Sequence, residues 1–278
     1  MKPSMRIDAH QHFWDLSRGD YGWLTPQLGG IYRNFLPADL QPLLKTAGID
    51  GTILVQAADT EAETEFMLSL ADKTDWIMGV VGWVDMAAKA TPDSIARFAR
   101  NPKFRGIRPM LQGMDDDHWI LRPELAPAVR ALVENGLAFD ALVTPRHLAS
   151  LLEFLQRHPD LRVVLDHCAK PAIRDGSFQP WADQISEIAE KTSAFCKVSG
   201  LFSEKSSDQN PQEIIKYARH VLACFGPERV MFGSDWPVLT LAGSYDDWTD
   251  IATEICADLN PEQQEQVFGG TAARFYLG

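Results

Sequence analysis

The sequence predicts an α/β protein folded as a (β/α)₈ TIM barrel, and three observations lead to this class. Short apolar segments rich in β-branched residues recur at about thirty residues per unit and alternate with helical patterns. The length of 278 residues is typical of one such barrel. The Gly-rich loop that usually follows the first strand of a doubly wound open sheet is replaced by Trp14-Asp15-Leu16. We therefore expect a single barrel domain over residues 1–278.

The strands are predicted from continuous apolar runs, such as Val163-Val164-Leu165 and Val230-Met231-Phe232. Such runs are typical of parallel strands that are covered on both faces. The predicted strands are Arg6–Phe13, Gly51–Gln56, Ile77–Asp85, Phe104–Leu111, Ala138–Val143, Arg162–His167, Phe195–Leu201 and Arg229–Trp236.

Helix signals fill the intervals between the predicted strands. In Thr60-Glu61-Ala62-Glu63 the spacing is that of a capping box, in which the Thr hydroxyl and the Glu carboxylate each accept a free backbone N–H. Asn260-Pro261 pairs an N-cap oxygen with proline at the first helical position. Gly48, Gly136 and Gly226 stand where helices are expected to end.

Residues 15–39 are rich in glycine and aromatic side chains and are too long for an ordinary connection between a strand and a helix. We expect this segment to form a lid over the strand ends.

The composition narrows the classes of partner. Hydrophobic residues make up 45% and charged residues 23%, which excludes disorder and coiled coil. The formal net charge of −12 argues against nucleic acid and membrane partners. No apolar run reaches the roughly 20 residues that span a bilayer, and residues 1–12 lack an apolar stretch of signal-peptide length. The cysteines are scattered without a Cys-x-x-Cys pair, so we expect reduced thiols and a cytoplasmic protein.

In a barrel of this kind, the residues at the carboxyl ends of the strands face the active site. The first predicted strand ends in His10-Gln11-His12. Because side chains two apart lie on one side of a strand, Asp8, His10 and His12 are predicted to share a face. Two imidazoles that converge on one point suit a divalent metal ion or the polarisation of a carbonyl.

Two further strands end in polar residues. The sixth ends in Asp166-His167, with His167 on the side of Val163 and Leu165, and a lone histidine after an apolar strand is as often structural as functional. The eighth ends in Gly233-Ser234-Asp235. An unpaired charge after a buried strand is costly, which makes Asp235 the best candidate for a general base.

Other side chains near the predicted mouth could contact a substrate: Gln56, Trp83, Arg108, Lys170, Trp14 and Trp236. Aromatic planes pack on the apolar face of a sugar ring, and cationic side chains hold hydroxyl or carboxylate oxygens. Core packing is the better interpretation of each tryptophan taken alone. Arg108 is favoured as functional, and for Lys197 on the seventh strand both interpretations stay open.

These motifs resemble those of the amidohydrolase superfamily. The resemblance is carried by Ile7-Asp8-Ala9-His10-Gln11-His12-Phe13, Val163-Val164-Leu165-Asp166-His167, Lys197-Val198-Ser199-Gly200-Leu201 and Phe232-Gly233-Ser234-Asp235-Trp236-Pro237. It extends from Arg6 to the closing segment Gly269–Tyr276, where Thr271 replaces the usual Asn. More narrowly, the chain is similar to the amidohydrolase-related (family 2) branch, which holds sugar-acid lactonases such as L-fuconolactonases and L-rhamnonolactonases, and pyrone-dicarboxylate lactonases. The resemblance implies an amidohydrolase-like barrel with Asp235 as the proton-transferring aspartate.

The chain departs from the metal-dependent members at two strands. Those members usually offer histidine or a modified lysine at the ends of the fourth and fifth strands, where this chain has Arg108 within Gly106–Met110 and Asp140 within Phe139–Val143. A binuclear site is therefore not expected. Two alternatives stay open: a single divalent ion such as zinc, held by His10, His12 and Asp235, or no required metal. The chain has neither a G-x-G-x-x-G motif nor a Walker loop, so a nucleotide cofactor is not expected.

The leading hypothesis is a lactonase, a carboxylic ester hydrolase of carbohydrate metabolism whose partner is a small sugar lactone. Water attacks the carbonyl while His10, His12 and His167, or an ion that they hold, stabilise the developing charge, and Asp235 shuttles the proton. Since a lactone is an activated ester, protonated histidines and Arg108 are expected to suffice, and activity is expected to tolerate chelation.

Two alternatives belong to other classes. A metal-dependent decarboxylase of aromatic acids needs a fifth-strand histidine, which this chain lacks, and it would release carbon dioxide from a hydroxybenzoate. A non-catalytic sugar-acid-binding barrel would bind without turnover, but is expected to have lost His10, His12 or Asp235. The sequence leaves open whether the chain acts alone or as a homo-oligomer.

Overall fold

Eight parallel strands form the barrel that the sequence predicts. The computed structural model describes residues 5–278, so the first four residues of the predicted domain lie outside it. The strands are β1 (Ile7–Gln11), β2 (Gly51–Val55), β3 (Ile77–Gly82), β4 (Phe104–Ile107), β5 (Ala138–Ala141), β6 (Arg162–Leu165), β7 (Phe195–Val198) and β8 (Val230–Phe232). Each lies within a predicted strand and ends earlier, because the chain turns at the carboxyl ends into loops that carry polar side chains.

The strands follow one another around the barrel in chain order, each parallel to the next. Beyond the strand ends, the first and last strands are joined by two backbone hydrogen bonds of 2.7 Å: His12 N–H donates to Trp236, and Asp235 N–H donates to His10. This junction holds the polar end of β8 directly beside the polar end of β1.

Helices cover the outside of the barrel. They are α1 (Pro37–Ala47), α2 (Glu61–Ala71), α3 (Thr91–Phe98), α4 (Ala126–Glu134), α5 (Leu148–Arg157), α6 (Trp181–Lys191), α7 (Gln212–Phe225), α8 (Tyr245–Ile255) and α9 (Pro261–Glu265). No helix within residues 5–278 has both the length and the apolar character needed to cross a membrane.

Among the helix-end signals named above, all agree with the structure except one half of a capping box. Asn260 caps α9, and Gly48, Gly136 and Gly226 follow helices with positive φ. The Thr60 hydroxyl accepts a hydrogen bond from Glu63 N–H at 3.0 Å, as predicted. The second half of that capping box is wrong, because the Glu63 carboxylate accepts from the N–H of Ala57 instead of that of Thr60.

Two apolar clusters form the core. One lies between the strands and the helices. The other fills the barrel, where Ile53, Val81 and Met231 meet the closing residues Phe275 and Tyr276. The last segment of the chain thus packs against the interior of the barrel, away from the carboxyl ends of the strands.

A register irregularity in β1 changes which side chains face inward. The pairing of β1 with β2 shifts between Asp8 and Gln11, and such a shift breaks the alternation of side chains. The prediction that Asp8 shares a face with His10 is therefore wrong. Asp8 is buried toward α8, where its carboxylate accepts hydrogen bonds from the Tyr245 hydroxyl at 2.9 Å and from Ser234 N–H at 2.8 Å.

Residues 15–39 run across the carboxyl-terminal side of the barrel. Trp14 and Phe35 exchange backbone hydrogen bonds of 3.0 Å at the two ends of this segment. Between them, the indole N–H of Trp23 donates to the carbonyl of Ala57 at 2.6 Å. Whether the segment opens and closes as a lid stays a prediction.

Candidate active site

A cavity of about 370 Å³ lies at the carboxyl ends of the strands, within the size range of small-molecule sites. The side chains that line it come from the loops that follow several of the strands. The lining residues are His12, Trp23, Ala57, Arg108, Met110, Gln112, Gly113, Leu142, His167, Lys170, Asp235 and Val238.

The floor of the cavity is formed by His10 in β1, His12 just after β1, and Asp235 after β8. Nε2 of His12 lies 3.2 Å from Oδ1 of Asp235, and Nε2 of His10 lies 3.8 Å from the same oxygen. The two Nε2 atoms are 3.2 Å apart. Nε2 of His167 lies 3.9 Å from Oδ1 of Asp235 on another side. The four candidate catalytic side chains are thus brought to one point.

The donor set of His10, His12 and Asp235 fits a divalent ion. Nδ1 of His12 lies 2.7 Å from the carbonyl of Val55, so that nitrogen carries the proton and the Nε2 lone pair faces the cavity. Two ligands about 2.1 Å from a tetrahedral ion are roughly 3.4 Å apart, close to the 3.2 and 3.8 Å separations found here. The geometry is consistent with the single ion considered from the sequence.

Burial determines the charges of this cluster. It lowers the pKa of His167 to about 4 and that of His10 well below its ordinary value. Burial also raises the pKa of Asp235, but the neighbouring His167 and His12 outweigh it and leave that pKa below its ordinary value. The site therefore holds a carboxylate with neutral His10 and His167. Protonated forms of these two histidines, which the sequence analysis allowed, are not expected near neutral pH.

An unusual backbone places His167. The chain leaves β6 through four consecutive residues with positive φ, from His167 to Lys170, at 51–57°. Left-handed conformations cost about 1–2 kcal/mol per non-glycine residue, and such strain tends to concentrate at functional sites. The turn explains why His167 lines the cavity while Val163 and Leu165 pack among the helices, so the prediction that they share a side is wrong. Nδ1 of His167 lies 2.9 Å from the hydroxyl of Ser199.

Arg108 brings a permanent positive charge to the cavity. The side chain is 4% exposed, and its guanidinium donates to the carbonyl of Gln56. Its NH1 lies 3.4 Å from Nε2 of His10 and 3.5 Å from Asp166. The amide of Gln56 donates back to the Arg108 carbonyl at 2.8 Å. Of the predicted binding residues, Arg108 lines the cavity, and Gln56 holds Arg108 in place through these two hydrogen bonds.

Lys170 lines the mouth of the cavity, where its ammonium group is 2.6 Å from Glu204. The three predicted tryptophans lie behind the lining. Trp14 and Trp236 are buried and pack edge-to-face on Phe35, and the backbone of Trp83 bonds to Thr64. Their roles in substrate binding stay predictions.

A second layer of charge lies directly beneath the floor. The fully buried ammonium of Lys197 is 2.5 Å from Asp140, 3.0 Å from Asp166 and 3.2 Å from Nδ1 of His10. Asp140 also accepts from the Tyr276 hydroxyl at 2.7 Å. Burial raises the pKa of Asp166, but Lys197 and His10 outweigh it and hold that pKa well below its usual range. This layer supports His10 from below.

Sequence reasoning missed parts of both layers. It treated Asp140 only as the residue that replaces a metal ligand, and it did not single out Tyr276. The charged residues within apolar strands, Asp140 and Lys197, were a usable signal, because each needs a buried partner. The apolar wall formed by Trp23 and Met110 comes from loops, and nothing in their local sequence marked them.

A family model described as amidohydrolase matches residues 7–277. The chain therefore belongs to the amidohydrolase family. This confirms the resemblance and the barrel inferred from the motifs of the first, sixth, seventh and eighth strands.

Two relatives of this amidohydrolase match nearly its whole length. An L-fucono-1,5-lactonase from Burkholderia ambifaria is 46% identical over 277 residues, which cover 98% of this chain and 96% of that protein. An L-fucono-1,5-lactonase from Burkholderia multivorans is 36% identical, with coverage of 98% and 96%. A crystal structure of an amidohydrolase from Burkholderia multivorans with bound zinc matches at TM-score 0.94 and 35% identity, covering 99% of each chain.

Proposed function

We propose that this amidohydrolase is a lactonase that opens a sugar-acid lactone, such as L-fucono-1,5-lactone, to the free acid. The observation that carries the proposal is the convergence of a carboxylate, Asp235, and a cation, Arg108, on the floor of one cavity. The 46% identity to an L-fucono-1,5-lactonase over nearly the full length supports it.

Ester hydrolysis needs a base for the attacking water and a group that stabilises negative charge on the carbonyl oxygen. Asp235 is ionised and lies at the floor, so it accepts the proton of water and returns it to the ring oxygen that leaves. The guanidinium of Arg108 faces the same space and stabilises the developing charge. His12 and His167 flank Asp235 and orient its carboxylate toward the cavity.

The side walls suit a small polyhydroxylated ring. Lys170 and Arg108 offer N–H donors for hydroxyl oxygens. Trp23, Met110 and Leu142 present apolar surface on which the C–H face of a ring packs.

A divalent ion would be held by His10, His12 and Asp235, and it would polarise the lactone carbonyl as a Lewis acid. We propose that such an ion binds weakly and that turnover does not require it. Arg108 lies 3.4 Å from Nε2 of His10, and Lys197 lies 3.2 Å from Nδ1. The Lys197 charge is balanced by Asp140 and Asp166, so the repulsion of an ion comes chiefly from Arg108, which itself supplies positive charge to the carbonyl.

We propose the cytoplasm as the compartment of the enzyme and a small-molecule sugar lactone as its partner. All four cysteines, Cys168, Cys196, Cys224 and Cys256, are free thiols, which suits a reducing compartment.

A screen of aldonolactones with a pH indicator tests the activity, since each turnover releases one acid. We expect hydrolysis of L-fucono-1,5-lactone or a close stereoisomer. Carbon dioxide release from a hydroxybenzoate, without lactone hydrolysis, would instead identify a decarboxylase. Saturable sugar-acid binding without any turnover would identify a binding protein.

A further inference from the structure

Glu63 is a buried carboxylate outside the group of residues that perform the proposed chemistry. Its side chain is 0% exposed, although it lies in the first turn of α2, where glutamate is usually solvated. Oε2 accepts a hydrogen bond from the Tyr21 hydroxyl at 2.8 Å, and Oε1 accepts from Ala57 N–H at 3.2 Å. Arg18 approaches the same carboxylate at 3.4 Å.

These partners belong to two separate loops. Arg18 and Tyr21 come from the segment of residues 15–39, whereas Ala57 comes from the loop after β2. A parallel contact joins the same elements, because the Thr60 hydroxyl donates to Asp20 at 2.8 Å. The start of α2 therefore holds residues 15–39 through Arg18, Asp20 and Tyr21, and Glu63 contacts two of these three residues.

Both loops form one wall of the cavity. Trp23 and Ala57 line it side by side, joined by the hydrogen bond from the indole of Trp23 to the carbonyl of Ala57. Trp23 follows Tyr21 by two residues, and Glu63 binds the N–H of the same Ala57 whose carbonyl holds Trp23. One carboxylate is thus bonded to Ala57 and to Tyr21, which lies in the same segment as Trp23.

Burying this carboxylate is costly, which argues against an incidental placement. Burial raises the pKa of Glu63 to about 7, although Tyr21, Ala57 and Arg18 stabilise the charged form. A glutamate that served only as a helix cap would satisfy that role from the surface.

We propose that Glu63 is a positioning residue for substrate binding, which holds the wall formed by Trp23 and Ala57 in the shape that accepts the ring of the substrate. The inference rests on the proposed lactonase function for its kinetic consequence. It does not place Glu63 in contact with the reacting atoms, so the effect falls on KM rather than on kcat.

The test substitutes Glu63→Gln, which keeps the shape but replaces one acceptor oxygen with an N–H donor. Glutamine has only one acceptor oxygen at this end, so either the Tyr21 hydroxyl or the Ala57 N–H loses its acceptor. We expect KM for the lactone to rise about tenfold, the effect of losing a hydrogen bond to a charged group, with kcat within about twofold of wild type. Glu61→Gln is the matched control, since Glu61 lies in the same helical turn but pairs with Arg97 at the surface.

Hydrogen exchange measured by mass spectrometry tests the same point without any substrate. We expect faster exchange within residues 15–36 and 56–60 of the Glu63→Gln variant, and unchanged exchange at β6 and β7. Tyr21→Phe removes one hydroxyl from the opposite side of the contact, and we expect the same pattern at smaller amplitude.

Unchanged exchange in both variants, or a loss confined to kcat, would overturn the inference. If the wild-type protein opened no lactone, the proposed function would fail, whereas the exchange experiment would still decide whether Glu63 holds the wall.

Discussion

Two layers of polar residues inside the barrel differ in what their side chains are bonded to. In the upper layer, His12, His167 and Asp235 line the cavity, and their Nε2 and Oδ1 atoms converge on open space. In the lower layer, Lys197 and Asp140 are fully buried and pair with each other and with neighbours.

This difference in bonding predicts different roles for the two layers. Groups that point into a cavity are free to bind a substrate and exchange protons with it. Groups that pair below the floor neutralise one another, and removing one partner leaves a charge without compensation. The upper layer should therefore control turnover and the lower layer stability.

Asp235→Asn should produce the largest change in turnover. Asparagine is nearly isosteric but cannot take a proton from water, so we expect kcat to fall by roughly 10²–10⁴, the usual range for a lost general base. The unfolding midpoint in urea should stay close to that of wild type. Asp246→Asn, an exposed change in α8, is the control. A variant of Asp235 that kept more than half of wild-type turnover would remove the residue from the mechanism.

Lys197→Met should act chiefly on stability. The substitution keeps the length of the side chain but leaves Asp140 and Asp166 without their shared cation, and breaking a buried ion pair costs about 3–5 kcal/mol. Urea denaturation measures this loss, and Lys191→Met at the surface should leave the unfolding midpoint close to that of wild type.

The double variant Lys197→Met/Asp140→Asn tests whether the lost stability comes from the pair of Lys197 with Asp140. Removing one carboxylate together with the ammonium should recover part of the lost stability, a coupling that a double-mutant cycle detects. Equal stability of Lys197→Met and wild type would show that the lower layer does not support the barrel.

The two layers also differ in how far the sequence predicts them. His10, His12 and Asp235 lie at the carboxyl ends of apolar strands, where a barrel binds its substrate, so their position was sufficient to place them at the cavity. The lower layer depends on pairs such as Lys197 with Asp140, which are 57 residues apart in sequence. Their contact follows from the closure of the barrel and cannot be deduced from either strand alone.

Errors of orientation have local causes. Strand alternation gave Asp8 and His167 the wrong neighbours because a register shift interrupts β1 and a left-handed turn follows β6. Neither feature has a glycine to signal it at those positions. Side chains on loops, such as Trp23, depend on tertiary contacts that periodicity does not describe.

Substrate preference tests two cationic side chains that line the cavity, Arg108 and Lys170. Arg108 and Lys170 leave N–H donors unpaired when a ligand offers no hydroxyl oxygen, and sites built this way reject such ligands. We expect kcat/KM for a hydroxylated aldonolactone to exceed that for unsubstituted valerolactone by roughly tenfold to hundredfold. Lys170→Met should narrow this ratio by lowering only the larger value. Equal kcat/KM for the two lactones would contradict the proposed contacts.

The smallest effect should follow removal of metal. His10, His12 and Asp235 have the spacing of an ion site, yet Arg108 places a positive charge 3.4 Å from Nε2 of His10, the nitrogen that would bind the ion. Repulsion between like charges weakens ion binding there. Because Arg108 already supplies positive charge at the carbonyl, hydrolysis after dialysis against a strong chelator should stay within about twofold of the untreated rate. Elemental analysis must confirm that the metal is gone. Loss of nearly all activity, restored by zinc or manganese, would show that the ion polarises the carbonyl and that Arg108 alone does not suffice.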